Sequence, residues 1–319
     1  MATGFCTRCG AVLRNGACPH GHPQRALRAR RRGRRKWPVV VLSLAVLLGA
    51  GGYLALVWYP LRAAGELMGP SSAEYTEALR TYRAAVDSLP VEDADAETVA
   101  EATEGILTQA ESARGSLSTA QLALEDRSAP QIPVISGRPP LEGALDVRGK
   151  MLTFYTGALE TVATLDGVAR YLGGLSGTLP EIDEVEDSLR GAGNDLGGPV
   201  ATARSVAGRI IADLEAITPP AELGALHSSL TIIARRIEED LEQIEDARGQ
   251  ATAPVIEVLL DDVAEQATSF RDAVAQAPQA AIQSGLGSAL KQLDRRVGRI
   301  NSGLTELRGR GVTGLTIPG

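Results

Sequence analysis

The chain has 319 residues, 44% of them hydrophobic but only 3% aromatic, and a formal net charge of −7. All three cysteines fall within the first eighteen positions, which excludes a disulfide-stapled secreted module. The charge is divided along the chain. Residues 1–36 carry ten Arg/Lys and no acid, residues 37–59 carry no charge, and residues 60–319 carry 22 basic and 39 acidic residues, a net −17. That acidic majority excludes a nucleic-acid binder spread over the whole length.

The first 22 residues read MATGFCTRCGAVLRNGACPHGH. Cys6-Thr7-Arg8-Cys9-Gly10 is a C-x2-C-G turn, and Cys18 follows, with His20 and His22 just beyond. Zinc takes four soft or borderline ligands in a tetrahedron, and a C-x2-C turn offers two thiolates from one tight loop. Gly10 lets the backbone fold back over a metal, and Asn15-Gly16 is a hairpin signal between the two ligand arms. Residues 1–24 are read as a zinc ribbon, because about residues 5–22 resemble the short zinc-ribbon domains at the N-termini of many bacterial membrane proteins, in which one C-x2-C-G knuckle is followed by a second. Cys6 and Cys9 match the first knuckle and Cys18 opens the second. The pattern departs at Gly21, where a second C-x2-C would place cysteine, so a histidine must complete the set. His22 (C-x3-H) is the preferred fourth ligand, because the single residue between Cys18 and His20 leaves little room to close on one metal; His20 is the alternative. Cys6, Cys9, Cys18 and His22 would form a closed site for Zn2+, structural and not catalytic. Reduced thiols place it in the cytoplasm.

Residues 25–36 form a basic juxtamembrane segment with Arg25, Arg28, Arg30, Arg31, Arg32, Arg34, Arg35 and Lys36. Residues 37–60 follow as a transmembrane helix: the uncharged run Val39–Tyr59 spans about 31 Å as a helix, close to the ~30 Å hydrocarbon core. Trp37 stands at one end, Trp58 and Tyr59 at the other, and Pro60 is expected to close it. The basic side stays in the cytoplasm. The apolar run is too long for the core of a cleaved signal peptide. Ala45 and Gly49 make a small-xxx-small pair that could seat a second helix.

The remainder is read as a mostly α, coiled-coil-like ectodomain of long helices: 61–126, a Pro-rich linker 127–140, a second helical part 141–310 and a tail 311–319. Apolar residues recur at alternating spacings of three and four, as in Val99, Thr103, Ile106, Ala110, Ala113, Leu117, Ala120 and Leu124, which is the seam of helix against helix. Prolines 90, 180, 219, 220, 254 and 278 mark the turns, giving about seven helices of some 20–40 residues, and Asp93 or Asp95 is placed to cap the second of them. Short connections make neighbouring helices antiparallel. Gly191, Gly193, Gly197 and Gly198 predict a break before Pro199. The acidic run Glu238–Asp246 and the basic last helix (Lys291, Arg295, Arg296, Arg299, Arg308, Arg310) are expected to pair.

No catalytic constellation emerges. His227 is the one histidine beyond the span, and its neighbours Ser228 and Ser229 point about 100° apart on a helix, so they cannot form a triad. The GxxxxGK[ST], HExxH and GxSxG motifs are absent. Six aromatics beyond residue 60 leave little to line a pocket. The sequence therefore points to a single-pass inner-membrane scaffold, tether or assembly protein, without enzymatic activity. The alternative is a sensor signalling through its ribbon. Its expected partners are the lipid bilayer and a protein, or a second copy of the chain, on the helical part; nucleic acid is not expected.

Overall fold

The computed structural model describes residues 5–6, 8–13, 17–21, 37–89, 95–128, 139–190, 196–248 and 253–318. His22, the basic segment 25–36, Pro90, most of the Pro-rich linker and Gly191 and Gly193 lie outside the described residues. The chain divides into two units, Met1–Val57 and Trp58–Gly319. The protein is mostly α, and among the described residues the extended backbone amounts to isolated bridge positions such as Phe5 opposite Val12.

In the first unit, α1 (Trp37–Tyr53) carries the apolar run. A five-residue π turn, Leu54–Trp58, follows. Here the structure corrects an expectation. Pro60 does not end the helix, because α2 (Tyr59–Asp87) opens with that proline in its first turn, where no N–H is needed. The wider π turn also relieves the clash a proline ring makes with the preceding turn.

The second unit is built from α2, α3 (Ala96–Asp126), α4 (Pro139–Ser176), α5 (Leu179–Arg190), α6 (Gly197–Ala216), α7 (Gly224–Ala247), α8 (Ala253–Ala275), α9 (Ala277–Ala281) and α10 (Gly287–Gly309). Seven of these have 20 to 38 residues. Their ends follow local chemistry. Asp95 caps α3, accepting from the Thr98 amide at 2.7 Å. The α3 carbonyl of Leu124, left without a helical donor, is taken by Arg148 of α4 at 2.9 Å. Arg127, just past α3, reaches both carboxylate oxygens of Glu74 and the Ser71 hydroxyl, tying α3 to α2.

Two apolar cores share α3 and α4. One holds the C-terminal half of α3 (Ala110–Leu124), the N-terminal half of α4 (Ala144–Val162), α2 and α10. The other holds the opposite halves of α3 and α4 with α5 to α8. The two long helices thus run antiparallel. Tyr75, Tyr82, Phe154 and Tyr155 interlock in the first core, Phe154 lying edge-on to Tyr75 at 5.4 Å and to Tyr82 at 5.9 Å. Tyr171 and Phe270 are buried in the second.

The expected pairing of the acidic run with the last helix is overturned. α7 packs on α6 and α8, and α10 packs on α4. Glu242 and Glu245 meet Arg204 of α6, and Asp240 accepts from Gln266 of α8. Exposed charge pairs contribute only ~0.2–1 kcal/mol each, so apolar burial decides the neighbours. Residues beyond α10, expected as a plain tail, instead dock on α2. Val312 and Leu315 are buried, the Thr316 amide donates to Ser72 Oγ at 2.9 Å, and Arg308 donates to the Leu315 carbonyl. Gly65 and Gly69 admit this strand, since a Cβ at either would stand 3.3–3.4 Å from the carbonyls of Thr313 and Gly314.

Candidate metal centre

The knuckle is shaped by its backbone. Cys6 N–H donates to the Ala11 carbonyl at 2.8 Å and Gly10 N–H to the Cys6 carbonyl at 2.8 Å, closing the turn around Cys6 to Cys9. Gly10 has φ 73°, which a side chain would strain. A second turn forms where Gly21, at φ 70°, donates its N–H to the Cys18 carbonyl at 3.0 Å. The two turns bring the sulfurs together. Cys9 Sγ is 3.5 Å from Cys18 Sγ, and all three sulfurs lie within 4.8 Å of one another. That is far from the ~2.05 Å of a disulfide. It brackets the ~3.8 Å edge of a tetrahedron with Zn–S bonds of ~2.3 Å.

Electrostatics favour thiolates at one corner. The backbone N–H groups of Arg8 and Cys9 point at Cys6 Sγ and hold its thiol down at about 6. Cys9 receives the Ala11 N–H, which works in the same direction, but desolvation and the neighbouring sulfurs outweigh it and push its thiol up. A cation among the three would remove that conflict, because each sulfur then faces positive charge and not another sulfur. Cys6 and Cys18 are buried and Cys9 is exposed. His20 is exposed and stands outside the cysteine cluster, while His22 lies outside the described residues. The three cysteines could thus hold a metal ion. Sequence reasoning found them by spacing; it could not see the amide donors, which depend on the turn conformation.

Among the described residues one helix is long and apolar enough to cross a membrane, Val41–Asp87, with a mean hydropathy of 2.0 in its best window and none of that window buried. Leu42, Leu44, Leu47 and Leu48 are 57–69% exposed, far more apolar surface than a water-facing helix presents. At the start of α2 the Arg62 guanidinium sits 5.2 Å over the Trp58 ring and pairs with Glu66 at 2.7 Å.

His227 lies at the edge of the second core, its Nδ1 3.3 Å from the Tyr171 hydroxyl. Ser228 and Ser229 donate to the helix carbonyls of Gly224 and Ala225 and do not face it. All six aromatics beyond residue 60 are buried, so none lines a pocket. No family model matches the chain, and no similar curated protein or solved structure was found.

Proposed function

We propose that this protein is a single-pass, membrane-anchored scaffold or tether without enzymatic activity. A structural Zn2+ held by Cys6, Cys9, Cys18 and His22 makes a small zinc ribbon on the cytoplasmic side of an inner membrane. The long-helix domain stands on the extracytoplasmic side and presents helix faces to a protein partner or a second copy of the chain. The observation that carries this is the order along one chain: three sulfurs within 4.8 Å, an apolar stretch of helix with none of it buried, then helices whose six aromatics beyond residue 60 are internal. The ten basic residues before the span and the net −17 after it support the orientation. Long helices suit reach more than chemistry, since the 38 residues of α4 extend ~57 Å.

Protease added to spheroplasts tests the arrangement. Digestion is expected to remove the helical unit and spare the cysteine segment. Loss of the cysteine segment first, or a mature chain beginning near Glu66, would refute it.

A further inference from the structure

α10 approaches α4 closely, because Gly143 and Gly303 leave room for the partner side chains Leu307 and Val147; a Cβ on Gly303 would stand 2.5 Å from Val147 Cγ2. Beside this contact runs a groove of two adjoining hollows of about 550 and 450 Å3 that share Asp146, Lys150 and Arg299. Gly298 lies on its wall, and a Cβ there would meet no atom within 4 Å.

The charges of the groove do not balance. Asp146 is occupied by Lys150 at 2.6 Å, and Glu306 by Arg310. Arg296 donates to the Thr153 carbonyl at 2.9 Å. Arg295 and Arg299, which line the larger hollow, make neither a hydrogen bond nor an ion pair among the described residues. Elsewhere in this acidic unit Arg127, Arg204, Arg209, Arg235 and Arg271 each meet a carboxylate, whereas Arg114 and Arg236, unpaired among the described residues as well, stand on two different helices. Arg295 and Arg299 are four apart, so they share one face of α10, where like charges repel. Lys150 lines the opposite wall from α4, its charge met by Asp146.

We propose that this groove binds a phosphate-bearing anion. Arg295 and Arg299 supply planar forks that match phosphate oxygens in pairs, and Lys150, held by Asp146, lines the other wall. Two sources share this chemistry, a soluble oligophosphate and an anionic lipid headgroup. The second has local support: beside the groove residue Arg310, a Cβ on Gly311 would stand 3.9 Å from Leu61 Cδ2, two residues beyond Tyr59.

The test uses the full chain in phosphatidylcholine nanodiscs, with hydrogen exchange read separately for peptides from α4 and α10. Tripolyphosphate is added in one arm, and 30% phosphatidylglycerol replaces part of the neutral lipid in the other. Protection of peptides 143–153 and 291–310 is expected in at least one arm, and the arm that responds names the source. The half-point should rise at least tenfold in R295Q/R299Q. A charge-matched control, R114Q/R236Q, alters exposed arginines on α3 and α7 and should leave it within twofold. R295K/R299K keeps the charge without the forks and should lie between. Protection in neither arm, or equal weakening by both glutamine pairs, would overturn the proposal.

Discussion

Removing the metal should unfold the cysteine segment while leaving the helical unit intact. The 13 described residues between 5 and 21 cost at least about 13 kcal/mol to order, at ~1 kcal/mol each. Three backbone hydrogen bonds, Cys6 to Ala11, Gly10 to Cys6 and Gly21 to Cys18, offset about 3 kcal/mol of this. The shortfall of about 10 kcal/mol is the lower end of what a structural zinc supplies, ~10–16 kcal/mol. Shared among four ligands, that is roughly 2.5–4 kcal/mol per ligand, so Cys18→Ser should weaken zinc binding by about two orders of magnitude. The assay is metal content of the purified reduced protein together with hydrogen exchange of peptides covering 5–21, with and without a zinc chelator. One zinc per chain is expected, with protection that chelation abolishes. The reasoning fails if those peptides exchange equally fast in both conditions, or if Cys18→Ser retains wild-type zinc affinity.

Truncation before Val312 removes two buried side chains from the α2 surface, each contributing roughly 1.5–3 kcal/mol. Urea unfolding should register the loss, and exchange should quicken first at 63–72; an unchanged midpoint would show that the docked tail contributes nothing. Glu181 supplies a pH test. Burial, then the nearby Asp213, raises its carboxyl above the ordinary value, against a lowering by Arg209, and its Oε2 has no partner. A raised native value means the folded chain binds the proton more tightly, so stability falls as pH rises from about 4.3 through that value. Glu181→Gln should therefore raise Tm at pH 7, with the gain vanishing below about pH 4. A lower Tm at pH 7 would show that the Arg209 contact outweighs the burial.

Much of the helical pattern was legible in the sequence. Every residue read as the α3 seam, from Val99 to Leu124, is buried, as are Leu293, Val297, Ile300, Leu304 and Leu307 of α10. A helix with one apolar face announces that face by its spacing alone. α4 was read less well. The three-four spacing Leu152, Tyr155, Leu159 and Val162 marks a seam of which Tyr155 and Val162 are buried, yet Met151, Phe154 and Ala158 lie deeper than either leucine, because α2, α3 and α10 surround α4 and a helix covered on several sides has no single stripe. The cysteine cluster was legible because metal spacing is a local property, whereas the amide donors that lower Cys6 depend on the folded turn.

Read alone, the sequence places the apolar span, a helix start at Asp93 or Asp95, a break ahead of Pro199 and the three sulfurs that can share a metal. Each is settled by residues within a few turns of one another. Only the tertiary structure decided that α7 lies with α6 and α8, that α10 returns to α4, that the last residues lock onto α2, and that Arg295 and Arg299 face Lys150 across a groove. Those outcomes turn on which apolar faces fit together at Gly65, Gly69, Gly143 and Gly303. Burial of such faces outweighs the screened attraction between surface charges by several-fold, and the charge pattern therefore pointed to the wrong partner for the last helix.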